Sequence, residues 1–519
     1  MTFPHFTRRW VLRTGTALGV AGSALPGMVA HAQTMVPRIR VASDIQHLDP
    51  FDQIGGVEET VKAATLVTLI RYKQQGSTEW ELYAAESIDV VDDTTIAFTL
   101  RDDIVWTGGF GPLTAHDVKF SFERMADPDG GSPWQYAWDL LDNVEVIDER
   151  NGVIHMEEPF APLFYTSLPW YAGQIVCKQA VEEAGGTFTT EIPAECGPYL
   201  TTAWEPKVSL TLSRNADWTV DHPDFDGFEI IVITDDKAAE IAFEAGELDF
   251  TLVSPDSISQ LRQNMPQGAK LLELPSINYT WLGMNVENPK LQDIRVRQAI
   301  QYAVDVDQIM EGAYAGAAEP STGVQAPGTV GYRDKRQIVH VDLDKARALL
   351  AEAGVPDGFD VTLTTLNDTL SVTVCQIIQA NLAEIGINVE LAPYDPGIYW
   401  NLGLESEGED WKNLELTLMA YGGGIDPSEN LIWFTPDQVG VWNWERWNNA
   451  EFGELYAQGN VELDPDKRNA IYQRMQDLME ESGAYVFLTH GALAALYRDW
   501  MEPFVRYDRT LALPQFRNV

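Results

Sequence analysis

The chain is rich in two kinds of side chain that do chemistry on small solutes. Its 16 Trp and 18 Tyr offer flat faces that stack on a sugar ring or enclose a cation. Its 78 Asp plus Glu are plentiful enough to supply the two carboxylates, about 5 to 10 Å apart, of a glycoside hydrolase, but no spacing singles out a pair. Gly-x-Ser-x-Gly, His-Glu-x-x-His and a phosphate-cradling Gly-Lys-Ser/Thr are absent from the sequence. The six histidines beyond residue 34 (His47, His116, His155, His222, His340, His490) show no local ligand pairing, so a metal would have to draw on distant segments. Gly422-Gly423-Gly424 is a run that lets a ligand approach the backbone closely. In an oxidising compartment Cys177 and Cys196 would close a short loop worth on the order of 3 kcal/mol, leaving Cys375 single.

The elements that must position these groups are written in the periodicity. Ile96, Phe98 and Leu100 alternate with Thr95, Ala97 and Thr99, the pattern of a half-buried strand, and Asp92-Asp93 suits a hairpin turn before it. Thr114 stands three residues before Asp117, an N-cap with an acidic partner, and Val118, Phe122 and Met125 follow at helical spacing. Val374, Ile377, Ile378 and Leu382 mark a helix that stops at Gly386 and makes Cys375 a buried, inert thiol. DLDKARALLAEAGV, capped by Asp344 and stopped by Gly354, leads into the strand-like FDVTLTTL, a helix, and the strand INVEL. Such alternation reads as α/β.

At 519 residues the chain exceeds what one core usually supports, and its 45% apolar and 22% charged residues are ordinary for a globular protein. A net charge of −43 repels nucleic acid and anionic membrane surfaces, so neither is expected as a partner. Residues 1–32 read as an address. Arg8-Arg9 in TRRWVLR has the twin-arginine arrangement, a weakly apolar stretch runs from Ala17 to Val29, and Ala30-His31-Ala32 fits signal-peptidase cleavage after Ala32. No later run approaches the roughly 18 apolar residues of a spanning helix, so the expected mature protein is free in a bacterial periplasm.

The order of elements from Tyr83 to Pro128, with the phrases LRDDIVW, PLTAHDVKFSFER and ADP, resembles the extracellular solute-binding proteins of the dipeptide, oligopeptide and nickel type that serve ABC importers. AECGPYLTTAW, INYTWLGMNVENP and NWERWNN continue the resemblance over nearly the whole mature chain. It implies a two-lobed periplasmic-binding-protein fold with an additional inserted domain: one lobe from 35–68, 196–276 and 491–519, the insert from 69–195, and the other lobe from 277–490. It also implies a monomer that captures a small molecule between its lobes and hands it to permease subunits, without a cofactor and without catalysis.

The implied ligand contacts are Trp281, Tyr394, Tyr399, Trp400 and Tyr421, with Arg446 as an anion partner and Asn367 and His47 as further polar candidates. LTLMAYGGGIDPSENLIWF resembles the segment on which peptide-binding relatives carry an aspartate that pairs with the ligand's α-amino group. Aligning on Asp426-Pro427 puts Gly423 at that position, with Gly422 beside it. The ligand expected is therefore a solute other than an ordinary peptide, such as an opine, an oligosaccharide or an amine. The alternatives are a peptide held by a shifted Asp426, a nickel or haem carrier, and an exported glycoside hydrolase.

Overall fold

The computed structural model describes residues 35–52, 56–75, 77–338 and 341–519; the twin-arginine segment and His340 lie outside them. Alternating residues build the strand Thr95–Leu100, with Ile96, Phe98 and Leu100 buried, and it pairs with Ala85–Asp92 across the expected hairpin. Thr114 caps the helix Ala115–Ala126. Its N–H donates to Asp117 Oδ2 at 2.9 Å, and Val118, Phe122 and Met125 are buried. The helix Leu343–Glu352 starts two residues earlier than the sequence suggests. Asp342, not Asp344, accepts from Lys345 N at 2.9 Å, because only an oxygen just ahead of the first turn reaches the free N–H groups.

Three sheets carry the architecture. A seven-stranded sheet runs in the order Tyr199–Glu205, Ser209–Arg214, Gly227–Val232, Arg38–Val41, Phe250–Leu252, Ala492–Arg498, Ala269–Pro275. A five-stranded sheet runs Asn388–Tyr394, Asp360–Leu366, Leu416–Tyr421, Tyr279–Met284, Tyr485–Thr489. A four-stranded antiparallel sheet is built from residues 85–156. One hydrophobic core joins the seven- and four-stranded sheets, from Ile39 through Phe98 and Trp138 to Phe516. Two further cores pack on the five-stranded sheet, one around Leu363, Ile378 and Leu416, the other around Trp281, Tyr399 and Tyr485.

The cysteines correct an expectation. Cys177 and Cys196 are separate buried thiols, and Cys375 is a third. Cys177 stands just before the helix Lys178–Glu183, and the Cys196 N–H is held by Thr65 O at 3.1 Å. Burial pushes the Cys196 thiol well above its ordinary range.

Candidate functional site

Strand directions locate the site. The chain leaves the seven-stranded sheet at Pro275, enters the five-stranded sheet at Tyr279, and returns between Thr489 and Ala492. Tyr279 pairs with Tyr421 in an antiparallel ladder, so the strand Leu416–Tyr421 ends at the crossing. The strand Asp360–Leu366 runs parallel to it and to Asn388–Tyr394, so all three carboxyl ends share that edge. On the other sheet, Pro275 pairs with Ala492 and Leu252 with Ala495, and Arg38–Val41 is parallel to Phe250–Leu252 and Gly227–Val232. The carboxyl ends of those three strands also meet the crossing. Ligands of open α/β sheets bind just beyond such ends.

The two crossings are fastened to each other. His490 Nδ1 lies 3.0 Å from Asn278 O, and burial lowers the imidazole to about 4, so the neutral ring donates there. Contacts between the halves are polar as well as apolar. The Tyr507 hydroxyl donates to Pro327 O at 2.8 Å, the Tyr136 hydroxyl donates to Glu429 Oε1 at 3.0 Å, and Ile277, Ile425, Trp170 and Tyr72 pack together.

On the five-stranded side the edge carries an aromatic hollow of about 310 Å³, lined by Trp400, Tyr421, Gly422, Trp433 and Trp442. Tyr421 is the last residue of its strand, and its hydroxyl donates to Trp442 O at 3.3 Å. The short helix Pro396–Tyr399 delivers Trp400 beside it, with the rings 6.1 Å apart. Behind the hollow Trp281 packs on Tyr421 at 4.9 Å and donates through Nε1 to Glu445 Oε1 at 2.7 Å. Glu445 is 1% exposed, its other oxygen has no partner among the described residues, and burial raises it to about 7.

The structure sorts the sequence candidates. Trp400, Tyr421 and Gly422 line the hollow; Tyr394 and Asn367 sit on the same edge, where Asn367 Nδ2 donates to Asp395 Oδ1 at 2.6 Å. His47 lies in the segment after Arg38–Val41, on the opposite edge, 3.6 Å from Asp52. Five candidates are corrected. Tyr399 is fully buried and donates to Leu418 O at 2.6 Å, because the helix turn that exposes Trp400 points its neighbour inward. Trp281 is core, its ring covered by Tyr421 and its N–H taken by Glu445. Arg446 is spent on Glu287 at 2.5 Å and Glu405 at 2.8 Å while stacking on Trp411. Asp426 is 1% exposed, caps the helix Pro427–Leu431, and forms a two-pronged ion pair with Arg468 at 2.7 and 2.8 Å. Gly423 is a glycine for packing. A Cβ there would stand 1.8 Å from Ile277 O in the crossing segment.

Trp433 and Trp442 escaped sequence reasoning. Their only signal is tryptophan density in LIWF and VWNWERW, since they sit outside regular periodicity. Among the described residues no cluster of three His, Cys, Asp or Glu could hold a metal ion, and no helix is long and apolar enough to cross a membrane.

The sequence profile of the bacterial extracellular solute-binding proteins, family 5 Middle, matches residues 79–440. The chain belongs to family 5. It is 26% identical over 502 residues to the glutathione-binding protein GsiB of Salmonella typhi, covering 95% of this chain and 94% of the relative. The fold matches that of HbpA2 from Haemophilus parasuis, with a TM-score of 0.82 at 22% identity over 94% of this chain and 100% of the other. It also matches MoaA from A. tumefacien R10 in complex with mannopinic acid, with a TM-score of 0.70 at 24% identity over 94% and 100% of the two chains. Family 5 proteins bind small solutes for ABC importers, which makes this a transport component with the two-lobed α/β fold of the family.

Proposed function

We propose that the protein is exported by its twin-arginine segment to the periplasm and captures one small solute, other than an ordinary peptide, between the two sheet edges for delivery to a permease. The seven-stranded sheet with residues 35–68, 196–276 and 491–519 would form one lobe, 277–490 the other, and 69–195 an insert on the first.

The observation that carries the ligand class is the pair Gly423 and Asp426. No side chain fits at 423 beside Ile277 O, Asp426 is already neutralised by Arg468, and Glu429, packed beside Gly424, is raised by burial to about 8 and accepts from the Tyr136 hydroxyl. A free peptide amine therefore lacks the counter-charge that a desolvated ammonium requires. Calorimetry against di- and tripeptides, glutathione included, is expected to give dissociation constants no better than roughly 0.1 mM, about −5.5 kcal/mol. Sub-micromolar binding of free-amine peptides would overturn this reading and favour a peptide ligand such as the one named for GsiB.

A further inference from the structure

We propose that the hollow of Trp400, Tyr421, Trp433 and Trp442 is a cage for a quaternary ammonium group of the solute. This rests on the solute-binding reading and names the chemistry recognised at that site.

Three of the lining rings have the mutual spacings and angles of a box corner. Tyr421 and Trp433 are 6.4 Å apart at 76°, Tyr421 and Trp442 6.3 Å at 88°, and Trp433 and Trp442 6.4 Å at 79°. A cation gains most over a ring face within about 6 Å of the centroid. Three mutually perpendicular faces, each about 4.5 Å from one point, have centroids about 6.4 Å apart, since each pair spans √2 times that distance. The observed spacings fit one shared centre. Trp400, at 6.1 Å and 33° from Tyr421 and 6.5 Å and 65° from Trp442, closes a further side.

Charge and hydrogen-bonding capacity select the kind of cation. Residues 395–446, which supply all four rings, contain ten Asp and Glu and two cations, Lys412 and Arg446. Glu405, Glu409, Glu415 and Asp426 are paired with Arg446, Lys412, Lys290 and Arg468, while Asp395, Glu407, Asp410 and Asp437 have no cation partner among the described residues. Among the described residues no carboxylate lines the hollow, and the Tyr421 hydroxyl is engaged with Trp442 O. A primary ammonium would turn N–H donors toward ring faces that accept none of them, at a cost in desolvation. A methylated ammonium has no N–H and loses nothing of that kind. A sugar would lose partners for its hydroxyls, and a neutral apolar group would forgo the acidic surroundings.

The test uses tetramethylammonium, choline and 3,3-dimethylbutan-1-ol, the neutral carbon copy of choline, titrated by tryptophan fluorescence and calorimetry. Tetramethylammonium and choline should quench saturably, with choline bound at least tenfold tighter than the alcohol. Trp433→Ala and Trp442→Ala should each weaken choline at least tenfold, and Trp433→Phe should restore part of the loss; an unchanged thermal unfolding profile shows each variant folded. Equal binding of choline and the alcohol, or unweakened binding in both alanine variants, would overturn the cage. Were a non-cationic solute to bind one to one in a thermal-shift panel while the ammonium series failed, the cage would fall and the solute-binding reading would stand; no response to either would count against both.

Discussion

Replacing Arg468 with alanine lowers the free energy of unfolding by about 3–5 kcal/mol, the loss typical of removing one member of a buried ion pair. The guanidinium is 2% exposed and holds both oxygens of Asp426, itself 1% exposed, while its Nε donates to Gly459 O at 2.8 Å. Without it the carboxylate would stay buried and unpaired at the cap of Pro427–Leu431, the helix next to the glycine run. Asp426→Asn should be destabilised in the same direction. Equilibrium denaturation in urea reads both. Near-native stability together with lost solute binding would return Asp426 to a role as ligand anchor.

Stability contributed by three buried carboxyls falls as pH rises from about 4.5 to about 7. Glu445, Glu59 and Glu195 are all raised by burial from the ordinary carboxyl range to about 7. Between the unfolded value near 4.5 and the folded value the native state holds more protons than the unfolded chain, so unfolding becomes easier with each step upward in pH. A tenfold change in proton affinity corresponds to about 1.4 kcal/mol, so Glu445 alone accounts for something on the order of 3 kcal/mol across its window. His490, lowered to about 4, works the other way between about 4 and 6.5, which makes a difference measurement the clean one. Glu445→Gln keeps an acceptor for Trp281 Nε1 and should flatten the fall between pH 5 and pH 7.5 relative to the parent chain. An identical pH profile in the variant would show that Glu445 is not held neutral.

What can be read from the sequence is whatever short-range physics decides. The alternation of Ile96, Phe98 and Leu100 and the pairing of Thr114 with Asp117 are complete within a few residues, and both recur in the structure. Asp426 looks like a free carboxylate beside a glycine run because the arginine that neutralises it lies 42 positions away. Tyr399 and Trp400 look equivalent in a string, yet the rotation of about 100° between successive helical residues sends the first into the core and the second to the edge. Trp433, in the 3-10 helix Ile432–Phe434, and Trp442, in the turn beyond it, converge on Tyr421, a meeting that no periodicity announces. Gly423 suggests freedom of approach for a ligand, whereas what fixes it is the carbonyl of Ile277 in the crossing segment.

Solute-driven closure is the central claim, since a ligand that touches both edges binds the closed arrangement better than the open one. The solute would be chosen by thermal shift, where saturation at 100 times the dissociation constant adds about 2.7 kcal/mol. Small-angle X-ray scattering of the mature protein with and without that solute then decides: the radius of gyration should fall at saturation, and an unchanged radius with the site fully occupied would contradict the account.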